Sequence, residues 1–120
     1  MKNVSVFRND DTLSEALADL AALRPRAAKV LVGDKGKKFN TDLMDAVEIG
    51  FMVDYAESIA AGARARTESR GAHSREDYTT RDDANWLKHT LFSRSDDGAG
   101  YSLDFKDVII THFQPKERKY

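Results

Sequence analysis

Apolar positions repeat at helical spacing through the first half of this chain and at strand spacing near its end. Leu13, Leu17, Leu20 and Leu23 recur at steps of three and four, joined by Ala16, Ala27 and Val30. That is the apolar stripe of an amphipathic helix. Thr12-Leu13-Ser14-Glu15 has the capping-box form, in which a hydroxyl accepts an early amide and a glutamate reaches back, so the helix is expected to begin at Asp11 or Thr12. Pro25 lacks an amide hydrogen and crowds the turn before it, which predicts a kink or break over 20–24. The turn-forming Gly33-Asp34-Lys35-Gly36 places the helix end before Gly33.

A second helix is expected from a cap at Asn40 to about Arg66. Leu43, Val47, Gly50, Val53, Ala56, Ala60 and Ala63 mark one face, and Met44, Ile49, Phe51, Met52 and Ile59 widen the apolar arc. Gly50 costs roughly 1 kcal/mol against alanine inside a helix, so it reads as a point of close approach by a neighbouring helix. Gly71, just beyond, reads as the C-terminal stop. Farther on, Leu87–Arg94 and Tyr101–Phe105 read as a hairpin around a turn at 95–100, and Val108–Phe113 is the strongest strand candidate by β-branching. At the other end, Val4, Val6 and Phe7 fit either an edge strand or the end of a helix that begins earlier. Two helices bury only one seam, so these wide arcs leave apolar surface that needs another element or another chain.

Composition narrows the class. A chain of 120 residues makes one domain. It has no cysteine, which removes disulfides and thiolate chemistry and fits a reducing compartment. A net charge of −1 argues against a nucleic-acid partner. No apolar run approaches the ~20 residues of a membrane span, and the opening residues are too polar for a signal peptide, which points to a soluble chain.

Charge concentrates between Arg64 and His89, with six Lys or Arg, five Asp or Glu, two His and one Trp. Such a balanced set of directional groups suits an ion-pair network or a specific polar interface. His73 and His89 lie 16 residues apart with no thiolate, which matches no compact zinc motif. Asp77, Asp82 and Asp83 lack the glycine and closing glutamate of a calcium loop. Ser69 and His73 stand four apart, but no nucleophile elbow accompanies them. Carboxylate pairs drawn from Glu68, Asp77, Asp82 and Asp83 have arginines close by to neutralise them. The glycines and lysines of 33–38 follow a helix and carry an aspartate, unlike a phosphate-binding turn. Arg64, Arg66, Arg70 and His73 complement the negative end of the second helix. Arg75, Asp77, Arg81, Asp82 and Asp83 lie beyond it, and either lace the chain to its own helices or dock onto a neighbour.

The run from Thr67 through Glu68-Ser69-Arg70-Gly71-Ala72-His73-Ser74-Arg75-Glu76-Asp77 to Tyr78 resembles the carboxy-terminal domain of the succinate dehydrogenase and fumarate reductase flavoprotein subunits. So do Arg81-Asp82-Asp83-Ala84-Asn85-Trp86-Leu87-Lys88-His89-Thr90 and the closing stretch from Phe113 to Tyr120. Phe39-Asn40-Thr41-Asp42-Leu43 and Val6-Phe7-Arg8 fit as well, so the resemblance covers nearly the whole chain. L-aspartate oxidase and adenylylsulfate reductase flavoproteins share a looser version.

The resemblance implies a mainly α fold: an antiparallel, spectrin-like helical bundle over about 1–68, one helix being truncated, then a charged loop and short strands over about 69–120. Val4–Phe7 would end the truncated helix. In such a subunit FAD accepts a hydride as succinate becomes fumarate, and electrons pass through an iron–sulfur subunit to quinone in the membrane. The flavin-binding and capping domains lie upstream, and this chain has no Gly-x-Gly-x-x-Gly. It is therefore expected to hold no catalytic residue and no FAD by itself. Its implied partners are the flavin-binding domain, the iron–sulfur subunit and, indirectly, the membrane anchors, at the cytoplasmic side of the inner membrane. Ser69, Arg70, Gly71, Ala72, His73, Arg75 and Asp77 would form part of the flavin-domain docking surface. Arg81, Asp82, Asp83, Trp86 and His89 would belong to the same surface, with Arg81, Asp82, Asp83 and Trp86 fixing the loop. The other reading of the residues is a freestanding helical protein-interaction module.

Overall fold

The computed structural model describes residues 3–98 and 100–116. Contacts divide the chain into two compact units, Met1–Arg81 and Asp82–Tyr120. The first unit contains strand β1 (Phe7–Arg8), helix α1 (Asp10–Ala27), helix α2 (Thr41–Ala65) and strand β2 (Ser74–Arg75). The second contains a four-residue helix α3 (Asp83–Trp86) and strands β3 (Lys88–Arg94) and β4 (Tyr101–Asp107). The architecture is mainly α, two antiparallel helices and then a small β-hairpin, as expected.

Helix α1 begins earlier than the Thr12–Glu15 pattern suggests. Asn9 is the cap: its side chain accepts from the Thr12 amide at 3.0 Å, and the Thr12 hydroxyl accepts from the Asn9 amide at 3.2 Å. Thr12 thus closes the box from its third position, and Asp10 and Asp11 fill the first turn, where the helix dipole favours carboxylates. The expected break over 20–24 does not occur. The helix runs through Arg24 and ends at Ala27, so Pro25 sits in the last turn. Proline there removes one backbone bond next to the end, and the helix stops well short of Gly33, leaving Val30 and Leu31 exposed.

Helix α2 has the expected Asn40 cap, which accepts from the Leu43 amide at 2.8 Å, and extends to Ala65. The two helices run antiparallel. Arg24, late in α1, pairs with Asp54 at 2.8 Å and Glu57 at 2.6 Å, and Arg64, at the end of α2, pairs with Asp10 at 3.0 Å. Leu13, Ala16, Val53, Ala60, Ala61 and Ala63 are buried, a thin core with four alanines. The close approach expected at Gly50 is absent: a Cβ there would meet nothing within 4 Å. Met44, Val47, Phe51, Met52, Tyr55 and Ile59 form an exposed apolar face. The first half of α2 extends past the end of α1, which leaves Met44 and Val47 uncovered, while Phe51, Met52 and Tyr55 lie on a face of α2 that a single neighbouring helix does not cover.

Residues 3–6 are bends, and β1 follows them, so the described residues show no helix end at Val4–Phe7. The chain makes a parallel pair instead, with Phe7 opposite Ser74 and Arg8 opposite Arg75.

In the second unit, Asp82 caps α3 by accepting from the Asn85 amide at 3.1 Å. Strands β3 and β4 pair antiparallel from Lys88 opposite Asp107 to Arg94 opposite Tyr101. The Trp86 and Phe105 rings meet edge to face at 5.3 Å, and Phe92 stacks on Tyr101 at 5.1 Å. The expected strand at 108–113 is not formed. Val108 donates one amide bond to the Leu87 carbonyl at 3.1 Å, and β-branching without a pairing edge makes no strand.

Candidate functional site

The largest fully buried side chains are Arg75, Leu13 and Glu68, two of them charged. They anchor the segment that runs from Arg66 to Thr80 across the paired ends of α1 and α2.

Arg66 leaves α2 with extended backbone, φ −79° and ψ 101°. An extended chain puts alternate side chains on one side, so Arg66, Glu68 and Arg70 converge. The Glu68 carboxylate, 0 % exposed, accepts from Arg66 and from Arg70, the latter at 2.8 and 3.1 Å. A tight turn follows. Arg70 and His73 exchange two backbone hydrogen bonds of 2.8 and 2.9 Å, and Gly71 sits inside the turn at φ +58°. Gly71 is thus a turn glycine; α2 has already ended with Arg66 as its cap. The left-handed backbone explains the glycine, because a Cβ there would find open space.

Ser69 gathers the loop. Its hydroxyl accepts from the Arg75 amide at 2.8 Å and donates to the Tyr78 carbonyl at 2.7 Å, while its own amide donates to the Thr80 carbonyl at 3.0 Å. Arg75, 1 % exposed, fills the space this creates. Two of its nitrogens meet the Asp77 carboxylate at 2.6 Å each. The third donates to the carbonyls of Ala63 and Arg64 at 3.0 and 2.9 Å, in the last turn of α2. Those carbonyls carry the negative end of the helix dipole, and a planar guanidinium can serve them and a carboxylate together. Asp77 then accepts from the Asp10 amide at 3.0 Å, in the first turn of α1, and Asn9 donates to Glu76 at 3.0 Å. The Arg75–Asp77 pair therefore joins the C-terminus of one helix to the N-terminus of the other.

Protonation follows from these contacts. Hydrogen bonds from Arg75 hold the Asp77 carboxyl down at about 2. Burial lowers His73, and Arg8, Arg75 and Arg66 lower it further, against a hydrogen bond with the Arg66 carbonyl that raises it. A carbonyl only accepts, so the His73 Nε2, 3.3 Å away, carries a hydrogen. Ser69, Glu68 and Asp77 are engaged in structure. The arrangement fixes shape, and no nucleophile–base pair is assembled in it.

Of the residues singled out from sequence, Ser69, Arg70, Gly71, His73, Arg75 and Asp77 are brought together in this loop, and Arg81 closes the first unit. Asp82, Asp83, Trp86 and His89 belong to the second unit, where Asp82 is a cap, Trp86 packs on Phe105 and His89 lies opposite Lys106 in β3. Glu68, read from sequence as a carboxylate beside neutralising arginines and left out of the docking set, is the shared acceptor of Arg66 and Arg70. The alternation Arg66-x-Glu68-x-Arg70 was its signal, once the backbone there is taken as extended rather than helical. Among the described residues no three His, Cys, Asp or Glu side chains gather as a metal site.

Fold and loop together define a helical pair with an appended hairpin, sealed at one end by a polar clamp. The family model described as "Fumarate reductase flavoprotein C-term" matches residues 1–120. The chain is 43 % identical over 115 residues to the fumarate reductase flavoprotein subunit of Haemophilus influenzae, covering 96 % of this chain and 19 % of that relative. It is 37 % identical over 117 residues to the succinate dehydrogenase flavoprotein subunit of Coxiella burnetii, covering 98 % and 20 %. Among solved structures, an Escherichia coli quinol fumarate reductase chain matches with a TM-score of 0.85 at 41 % identity, over 93 % of this chain and 19 % of that one. Mycobacterium smegmatis Sdh1 matches with a TM-score of 0.74 at 31 % identity, over 88 % and 18 %. This chain belongs to the fumarate reductase and succinate dehydrogenase flavoprotein family, and corresponds to its carboxy-terminal region. It spans 19–20 % of the length of these curated relatives.

The residues present do not fit a flavin dinucleotide. A dinucleotide pyrophosphate is commonly held by open amides at a helix N-terminus. Here the start of α1 is occupied by Asn9 and the Asp77 carboxylate, and the start of α2 by Asn40. A groove of about 400 Å³ between the long helices, lined by Val4, Ala16, Asp19, Leu20, Ala56 and Ile59, is apolar and has an aspartate as its charge.

Proposed function

We propose that this chain is a single carboxy-terminal domain of a succinate dehydrogenase flavoprotein subunit. The full subunit would oxidise succinate to fumarate with FAD and pass electrons through an iron–sulfur subunit to quinone. In this reading the segment packs on the flavin-binding domain and has no turnover alone. The observation that carries it is the loop from Glu68 to Tyr78, a heavily hydrogen-bonded platform with no reactive group assembled in it, in a chain that matches the flavoprotein C-terminal family model over residues 1–120. Ser69, Arg75 and Asp77 set the platform's shape, and Arg70, Gly71 and His73 present it to the flavin domain. Arg81 in the first unit, and Asp82, Asp83, Trp86 and His89 in the second, are docking residues in the same reading. No helix among the described residues is long and apolar enough to cross a membrane, in keeping with peripheral placement at the cytoplasmic face through partner subunits.

Fumarate reduction is the second reading, favoured by the higher identity to the Haemophilus influenzae fumarate reductase subunit, 43 %, than to the Coxiella burnetii succinate dehydrogenase subunit, 37 %. Assaying the full subunit with its iron–sulfur partner for succinate oxidation and for fumarate reduction separates the two directions. The isolated chain is expected to show no flavin absorbance, and a yellow preparation would refute the division of labour. In the full subunit Arg70→Ala is expected to lower flavin content, and unchanged flavin content and activity would remove Arg70 from the docking surface.

A further inference from the structure

We propose that Arg8 is a receptor for a carboxylate displayed by the rest of the flavoprotein polypeptide, an ion pair made only on assembly. This rests on the reading of the chain as one domain of a longer subunit.

Register is the first observation. Arg8 stands directly opposite Arg75 in the parallel pair of β1 and β2, so two guanidinium groups share a neighbourhood. Like charges directly opposite destabilise a strand pair. Arg75 is fully engaged, with Asp77 and the last carbonyls of α2. Among the described residues Arg8 has no such set, and its buried Nε meets no acceptor. A buried donor without a partner is costly in a finished structure.

The nearby acids have other hydrogen-bond partners. Glu68 is taken by Arg66 and Arg70, and Asp77 by Arg75 and the Asp10 amide. Glu76 accepts from Asn9, and Asp10 from Arg64. His73 supplies no negative charge. Burial and the Arg75 charge both act against the ionised form of Arg8, so the vicinity is short of one anion.

The chemistry of the anion follows from its surroundings. A guanidinium fork fits a carboxylate or a phosphate. Glu76 and Asp77 stand on the partner strand's continuation, and they disfavour a doubly charged phosphate more than a single carboxylate. Val6 and Phe7, 54 % and 69 % exposed, precede Arg8 in sequence with apolar surface. A charged anchor beside exposed aromatic area is the anatomy of a protein interface, and the relatives carry about five times this length of polypeptide.

The test uses the full-length subunit carrying Arg8→Lys. A carbodiimide joins an amine directly to a carboxylate in contact with it, and peptide mapping identifies the pair. The expected product is an amide between residue 8 and one Asp or Glu outside this 120-residue segment. Coupling only to Asp10, Glu76 or Asp77, or no coupling at residue 8, would overturn the proposal. A second measurement needs no variant. In the wild-type subunit phenylglyoxal should modify Arg8 more slowly than free arginine, as expected of a guanidinium held in charge-assisted hydrogen bonds. Modification at the rate of free arginine would sink it. Flavin content is read in the same preparations: a full-length protein without flavin counts against the proposed function, whereas the coupling map speaks to Arg8 alone.

Discussion

At the scale of single residues, stability at the sealed end of the helix pair depends on charge more than on apolar burial. Arg75→Ala leaves Asp77 uncompensated and the last carbonyls of α2 unserved. It is expected to destabilise the first unit by about 3–5 kcal/mol, measured by urea denaturation. Arg75→Lys should recover little, because an ammonium cannot face a carboxylate in bidentate fashion and reach two carbonyls as well. Asp77 sets an acid limit. Its carboxyl is held at about 2, below the 3.8 of an ordinary aspartate. Its contribution is therefore complete above pH 3.8 and is lost as pH falls toward about 2. Asp77→Asn should flatten the stability–pH curve in that window and leave its shape unchanged above about pH 5. This residue-level network was only half legible in the sequence. The arginines and acids stood out, but which pair spans the helix ends depends on the Arg66–Arg70 stretch being extended and on Ser69 folding the loop back.

Elements were more legible than their joints. The second helix, its Asn40 cap and the β3–β4 hairpin follow from periodicity, capping chemistry and the turn at 95–100. The start of α1 lies earlier because Thr12 can serve either as a cap or as the third residue of a box begun by Asn9, and the Asn9–Thr12 bonds, with the contact of Asp77 to the Asp10 amide, favour the longer helix. Val108–Phe113 has strand composition and lacks an edge to pair with, which no local pattern reveals. Gly50 gives a test at this scale. Inside α2 and with open space around its Cβ position, Gly50→Ala should stabilise the isolated chain by about 1 kcal/mol, seen as a raised Tm. The same substitution in the full subunit reports separately on whether another element comes close there.

For the molecule as a whole, the exposed stripe along α2 dominates. Phe51, Met52 and Tyr55 are 62 %, 64 % and 72 % exposed in a helix whose other face is packed. Contiguous apolar surface of this kind promotes association. The isolated chain is expected to self-associate with rising concentration in light scattering, and Phe51→Glu should shift it toward monomer without lowering its helix content. The surplus surface is legible in the sequence from the width of the apolar arcs, because two helices share one seam and cannot cover both. The charged loop, by contrast, was legible as a place and not as a clamp.

That clamp also bears on the order of folding. Asn9 and Asp10 meet Glu76 and Asp77 across 67 positions of sequence, with all of α1 and α2 between them. Contacts so distant along the chain close late, after nearer ones have shortened the loop. The α1–α2 hairpin should therefore form most of the transition state, and the clamp should lock afterwards. Arg75→Ala would then accelerate unfolding by several orders of magnitude while changing the refolding rate little, a partition that stopped-flow kinetics can read directly. A ribosome must likewise have released the loop before the helix ends are held, so the clamp acts as a latch on a hairpin already made.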